Sequence, residues 1–147
     1  MKGWLLDTNI VSELRKPNCN ANVKKWTDNQ LPQSFYISTV TLAEIRFGIE
    51  RLPDGDALKQ TLTEWLDSTL RPWFAERILP VDEDVILLWR QLVEIGRKQG
   101  YTFGQPDLFI AATARTHNLC AVTRNVADFE KAGVPIFDPF TGREANL

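Results

Sequence analysis

Short apolar runs that stop at a polar residue alternate along this chain with apolar stripes at helical spacing. Trp4-Leu5-Leu6 ends in Asp7-Thr8-Asn9, which predicts a buried strand breaking into a polar turn. Ile10, Val11 and Leu14 predict a short helix, stopped near Lys16-Pro17. The aromatic and β-branched segment from Phe35 to Thr41 predicts a second strand. Leu42, Ile45, Ile49 and Leu52, spaced by three, four and three, then predict an amphipathic helix, and Pro53-Asp54-Gly55-Asp56 a turn. Leu58, Leu62, Trp65, Leu66 and Leu70 form another helical stripe, and Arg77 to Val81 a short strand. Asp82 reads as an N-cap, with Glu83 and Asp84 in the first turn of a helix continued by Val85, Leu88, Leu92 and Ile95. Gln99 to Pro106 reads as loop, and Asp107 as the opening of a small-residue helix through Ala114. Strands are expected at Leu119 to Thr123 and at Val134 to Phe137. Strands alternating with helices predict an α/β fold, a central, mostly parallel sheet flanked by helices. With no repeat, low-complexity tract or linker, residues 1–147 are expected to form a single domain.

Composition narrows the chemistry. Apolar residues make up 44% and charged ones 24%, which excludes a disordered chain and leaves enough apolar mass for an unstapled core. A net charge of −2 excludes a protein that holds nucleic acid by bulk positive charge, so any such contact must be local or aided by cations. Cys19 and Cys120 cannot build a CxxC zinc knuckle and do not suggest a disulfide framework. His117, the only histidine, excludes paired-histidine catalysis and is expected on the surface at a helix end. The apolar start is too short for a signal-peptide core, and no run approaches the ~20 residues of a membrane span. A cytoplasmic protein with no membrane contact is expected.

The positions of specific acids carry the most information. Asp7 follows the first strand, Glu44 falls in the first turn of the helix after the second, and Asp128 lies beyond the strand ending at Thr123. Asp107 reaches the same edge through its loop. Ligands of open α/β sheets bind outside the carboxyl ends of the strands. Four carboxylates gathered there repel one another unless protonated or bridged by cations, and oxygen-only ligands suit Mg²⁺ or Mn²⁺. Singly, each acid has an ordinary explanation: a strand terminator, a helix cap, a surface charge, an i,i+4 pair. Together they indicate a metal-dependent hydrolase or a phosphotransfer protein.

Residues Leu5 to Leu14 (LLDTNIVSEL) and Ser38 to Gly48 (STVTLAEIRFG) resemble the first two motifs of the PIN-domain toxins. Asp107 to Ala114 (DLFIAATA) and Val122 to Phe129 (VTRNVADF) resemble the third and fourth. Ile78 to Asp82 and Pro139-Phe140 are also similar to that family, especially its VapC and FitB-like branch, so the resemblance runs through essentially the whole chain. It implies a magnesium-dependent endoribonuclease, the toxin of a toxin–antitoxin pair, working as a homodimer bound by a small VapB-like antitoxin. It makes Asp7 and Asp107 the metal ligands, with Glu44 and Asp128 completing the catalytic pocket. Two departures stand out. Some family members carry the fourth acid where this chain has Asn125, which shifts that role to Asp128, and Pro106 is unusual before Asp107.

Around these acids, Thr8, Asn9 and Thr123 are candidates to orient carboxylates or water, or else simple strand-end turn residues. Arg124 is the cation the motif places near the pocket, as a contact for RNA phosphate. Trp65 and Trp89 lie on or beside apolar stripes and are expected in the core or an interface, whereas Trp26 and Trp73 remain candidates to stack bases. An apolar groove around Ile10, Val11, Leu14, Phe47 and Leu52 is expected to receive an antitoxin helix. The alternatives are a PIN-fold nuclease of RNA processing or repair and a non-catalytic PIN-fold interaction module. A phosphoacceptor receiver domain would need a lysine where the chain has Thr123-Arg124.

Overall fold

The computed structural model describes residues 2–147. Six strands form one sheet in the order β3-β2-β1-β4-β5-β6: β1 (Trp4–Leu6), β2 (Phe35–Ser38), β3 (Ile78–Leu79), β4 (Cys120–Val122), β5 (Ile136–Phe137) and β6 (Glu144–Ala145). All neighbours run parallel except β5 and β6. The helices are α1 (Thr8–Arg15), α2 (Ala21–Asp28), α3 (Thr39–Glu50), α4 (Ala57–Trp65), α5 (Arg71–Phe74), α6 (Glu83–Lys98), α7 (Gln105–Thr116) and α8 (Val126–Lys131).

Strand side chains alternate between faces, so consecutive residues feed two different cores. Leu5 packs with Val85, Leu92, Leu108, Phe129 and Ile136 under α6, α7 and α8. Leu6 and Val122 pack with Ile10, Phe35, Ile37, Leu42, Leu70 and Phe74 on the opposite face. Burial on both faces explains why the strands read as unbroken apolar runs.

Several boundaries move relative to the sequence reading, each for a local reason. β2 stops at Ser38 rather than Thr41, because the Ser38 hydroxyl accepts from the Val40 N–H and caps α3. Glu44 therefore sits in the second turn of α3, not the first. α7 begins at Gln105, two residues before Asp107, with Pro106 in the first turn, where its missing N–H is not needed. The Leu58–Leu70 stripe divides between α4, which carries Leu58, Leu62 and Trp65, and a π-helical turn, Leu66–Leu70, that leads into α5. The strands read as Arg77–Val81, Leu119–Thr123 and Val134–Phe137 contract to β3, β4 and β5. His117 does end α7, but it is half-buried and its Nε2 is fully enclosed. Ile10 and Val11 lie in the core and are not exposed to a partner.

The topology positions the site. The chain builds β2 and β3 to one side of β1 and then β4, β5 and β6 to the other, so strand order reverses between β1 and β4. α3 and α8 leave the carboxyl ends of β2 and β4, and α7 runs back to the start of β4. The N-termini of all three therefore lie at the carboxyl edge of the sheet, where the reversal opens a crevice.

Candidate active site

Asp7 lies at that reversal, directly after β1. Its Oδ1 accepts from the Thr8 N–H at 2.7 Å, capping α1. Its Oδ2 accepts from the Thr123 hydroxyl at 2.8 Å, across from the end of β4, and from Asn9 Nδ2 at 3.3 Å. Asp7 is only 3% exposed, and Thr123 is fully buried. Burial pushes the Asp7 carboxyl up from 3.8 to about 7, and the charges of Asp107 and Glu44 push the same way against the Thr123 and Thr8 hydrogen bonds.

Glu44 accepts at Oε1 from the Thr8 hydroxyl at 2.7 Å, and that hydroxyl lies 3.2 Å from the Thr41 hydroxyl. Asp107 is half-buried in the first turn of α7. Its carboxyl is raised by burial, then by Asp128 and Glu44, while Asn125 Nδ2, 3.5 Å away, opposes this. The acids named from sequence are thus one electrostatic group. None of Asp7, Glu44, Asp107 or Asp128 forms an ion pair among the described residues, although eight such pairs occur elsewhere.

The remaining candidates separate into distinct positions. Asn9 spans the edge, donating to Asp7 and, at 3.4 Å, to the Thr123 hydroxyl, while its Oδ1 accepts from the Arg124 N–H. Arg124 is exposed, with its guanidinium 4.1 Å from the centre of the Phe140 ring. Asp128 sits in the first turn of α8, and its Oδ1 accepts a 2.7 Å hydrogen bond from the Tyr101 hydroxyl. The sequence reading missed Tyr101 and Thr41; the only signal for Tyr101 was an aromatic residue in the loop ahead of Asp107. Three tryptophans pack against other aromatic rings: Trp26 against Trp4, Phe35 and Phe137, Trp73 against Phe74, and Trp89 on Phe109.

The loop carrying Tyr101 depends on Gly96. A Cβ there would meet the Tyr101 carbonyl oxygen at 2.8 Å and the Phe103 ring at 2.9 Å. Gly96→Ala is expected to displace the loop and cost about 1–3 kcal/mol, seen as a lowered melting temperature.

This donor set fits a hard divalent cation. It is all oxygen, and it holds buried negative charge that no lysine or arginine offsets. Among the described residues no three acidic, histidine or cysteine side chains close into a cage. Mg²⁺ does not require one, since it keeps several waters and takes one or two carboxylates.

A parallel sheet with acids gathered at its reversal point defines the class: the PIN domain family model matches residues 4–134, and the chain belongs to that family. Within it the similarity runs to toxins. The chain is 38% identical over 136 residues to toxin FitB of Neisseria gonorrhoeae, covering 92% of this chain and 97% of that protein. It is 35% identical over 136 residues to a VapC ribonuclease of Sinorhizobium fredii, covering 92% and 96% respectively. The solved structure of FitAcB from Neisseria gonorrhoeae superposes with a TM-score of 0.86 at 38% identity, covering 93% of this chain and 98% of that one.

Proposed function

We propose that the chain is a Mg²⁺-dependent endoribonuclease, with Mn²⁺ able to substitute, and the toxin of a toxin–antitoxin pair. The observation that carries this reading is the group of unpaired acids at the sheet reversal, with Asp7 buried and its carboxyl held near 7. The names of the relatives, a toxin and a ribonuclease, support the same reading.

Asp7 and Asp107 would hold the ion, which supplies charge against the phosphodiester's developing negative charge and acidifies the attacking water. Thr8, Asn9 and Thr123 fix the Asp7 carboxylate, so little reorganisation is needed on binding. Glu44, aimed by the Thr8 hydroxyl, accepts the proton of the attacking water. The new bond forms between water oxygen and phosphorus, and the bond from phosphorus to the 3′ oxygen breaks in line. The 3′ oxygen takes a proton from solvent, leaving a 3′-hydroxyl and a 5′-phosphate. Arg124 lies one residue beyond Thr123 and is available to the phosphate chain. EDTA is expected to abolish RNA cleavage and Mg²⁺ or Mn²⁺ to restore it; undiminished cleavage by metal-free protein would overturn the mechanism.

Asp128 contributes charge at Asp107, whereas Asn125 contributes only an amide contact. Asp128→Asn is therefore expected to lower the cleavage rate more than Asn125→Ala. The reverse order in parallel rate measurements would move the fourth position to Asn125.

An active cytoplasmic ribonuclease must be silenced. A hollow of about 300 Å³ between α1, α3 and α4 is lined by Ile45, Leu52, Leu58 and Trp65 and reaches Thr8 and Glu44. Phe47, 61% exposed, stands on α3 beside it. In this reading an antitoxin lays an apolar helix there and sends an arginine into the carboxylates. The exposed Leu87 and Ile95 of α6, eight residues apart on one side of the helix, supply an apolar strip for a second copy in a homodimer.

A further inference from the structure

An acidic centre in a net-negative protein does not by itself hold a polyanion longer than the bond it cuts. Two open hollows continue away from the acids, on the side opposite the groove between α1, α3 and α4. The first, about 360 Å³, is bordered by Asn125 and Asp128 at the acid edge and by Arg124 and Arg143 on its flanks. The second, about 380 Å³, is bordered by Lys25 and Trp26 of α2 and by Asn29 just after it. Thr141, in the turn between β5 and β6, lines both, so the two adjoin at that turn. Each volume lies within the ~300–1,000 Å³ range of ligand clefts.

The chemistry along this track matches a single strand of RNA. Arg124 is seated on the Phe140 ring at 4.1 Å, which fixes its guanidinium at the mouth nearest the acids. Arg143 is exposed and makes only a long, 3.6 Å pairing with Glu130. Lys25 is exposed and forms no ion pair among the described residues, whereas its neighbour Lys24 is paired to Asp28. The acid of the turn, Asp138, is buried and satisfied by the Phe140 N–H and the Thr141 hydroxyl, so it helps to shape the turn. Trp26 is half-buried against Trp4, Phe35 and Phe137 and presents only its rim to the far hollow, where it forms an apolar wall beside Lys25.

We infer that the track from Asn125 through Arg124, Arg143 and Thr141 to Lys25 and Trp26 is the groove that holds the single-stranded RNA flanking the scissile bond. This rests on the ribonuclease reading above and adds to it the strand's path over the surface and the cations that line it.

The test neutralises the two cations furthest from the chemistry, Lys25→Gln with Arg143→Gln, both exposed and outside the catalytic machinery. Cleavage is compared on a very short RNA that occupies only the acid edge and on a longer single strand that spans both hollows. For the longer strand kcat/KM is expected to fall about tenfold, through KM, while the short RNA is cut as by wild type. Binding of the longer strand, followed by fluorescence anisotropy in a background where Asp7→Asn prevents cutting, should show a log–log salt slope smaller by roughly 0.7 per cation removed. Unchanged handling of the longer strand overturns the groove, and so does an equal loss on both RNAs. If wild type cuts neither RNA, the ribonuclease reading itself falls; if it cuts both and the variant equals it on both, only the groove falls.

Discussion

Asp7→Asn is expected to abolish toxicity and RNA cleavage while making the metal-free protein more stable. The amide keeps the shape and the contact to the Thr8 N–H, but it removes the charge that would hold a cation at the sheet reversal. Loss of partners one step further from a metal already costs ~10–100-fold, so cleavage should fall by more than roughly a hundredfold. The stability effect has the opposite sign. The Asp7 carboxyl sits at about 7 in the folded chain against 3.8 ordinarily. Between those values the unfolded chain has released the proton that the folded chain keeps, so stability falls as pH rises. Below 3.8 both forms are protonated and nothing is lost; above about 7 the whole penalty is present. At 1.36 kcal/mol per unit that is on the order of 4 kcal/mol. Wild type without metal should therefore melt progressively lower from pH 4 to pH 7, whereas Asp7→Asn should show a flatter profile. Added Mg²⁺ should raise the melting temperature of wild type at neutral pH and leave the variant unmoved. Thermal melts across pH, with and without Mg²⁺, read both effects. A variant that stays toxic, or that melts lower than metal-free wild type at neutral pH, would remove Asp7 from the role assigned here.

The strands and the helices facing the core were legible because each carries its own apolar periodicity. α2 was not, since only Val23 of its eight residues is buried, and its start depends on Asn20 accepting from the Asn22 and Val23 N–H groups. β6 escaped notice for the same reason: two residues, Glu144 and Ala145, have no pattern to display and pair antiparallel through the turn that Asp138 shapes. The end of β2 was misread because Thr39-Val40-Thr41 has strand-like composition; the cap made by Ser38 outweighs that weak propensity. At the acid edge, positions after strands nominate Asp7, Glu44 and Asp128, and the glycine-containing loop ahead of its helix nominates Asp107. What they could not convey is how each is held. Asp128 is tied to Tyr101, 27 positions earlier, and Glu44 to Thr8, 36 positions earlier, both contacts made only by the folded chain.

Thr123→Val is expected to lower cleavage at neutral pH by about 10–100-fold and to move the pH profile in the alkaline direction. The two side chains are nearly the same size, and position 123 is fully buried, so the packing between β4 and β1 survives. Only the hydroxyl goes, and it has several tasks. It donates to Asp7 Oδ2 at 2.8 Å, accepts from the Asn125 N–H at 3.0 Å, and takes a longer contact from Asn9. The first bond favours the charged form of Asp7, and it is the strongest influence holding that carboxyl down against burial. Without it the carboxyl rises further above its ordinary range, and at neutral pH a larger fraction of the protein holds a protonated, neutral Asp7 that no longer attracts the cation. Raising the pH refills the carboxylate, so activity should recover toward alkaline pH and the Mg²⁺ concentration for half-maximal activity should fall as it does. Loss of the bond to the N–H of Asn125, an exposed residue, adds a stability cost of about 0.5–1.5 kcal/mol that does not depend on pH. These two consequences separate in the data: a lost positioning bond moves the pH profile and the Mg²⁺ requirement, whereas a packing defect lowers melting temperature alone. A variant with wild-type rates at every pH would show that Asp7 does not depend on Thr123 for its charge.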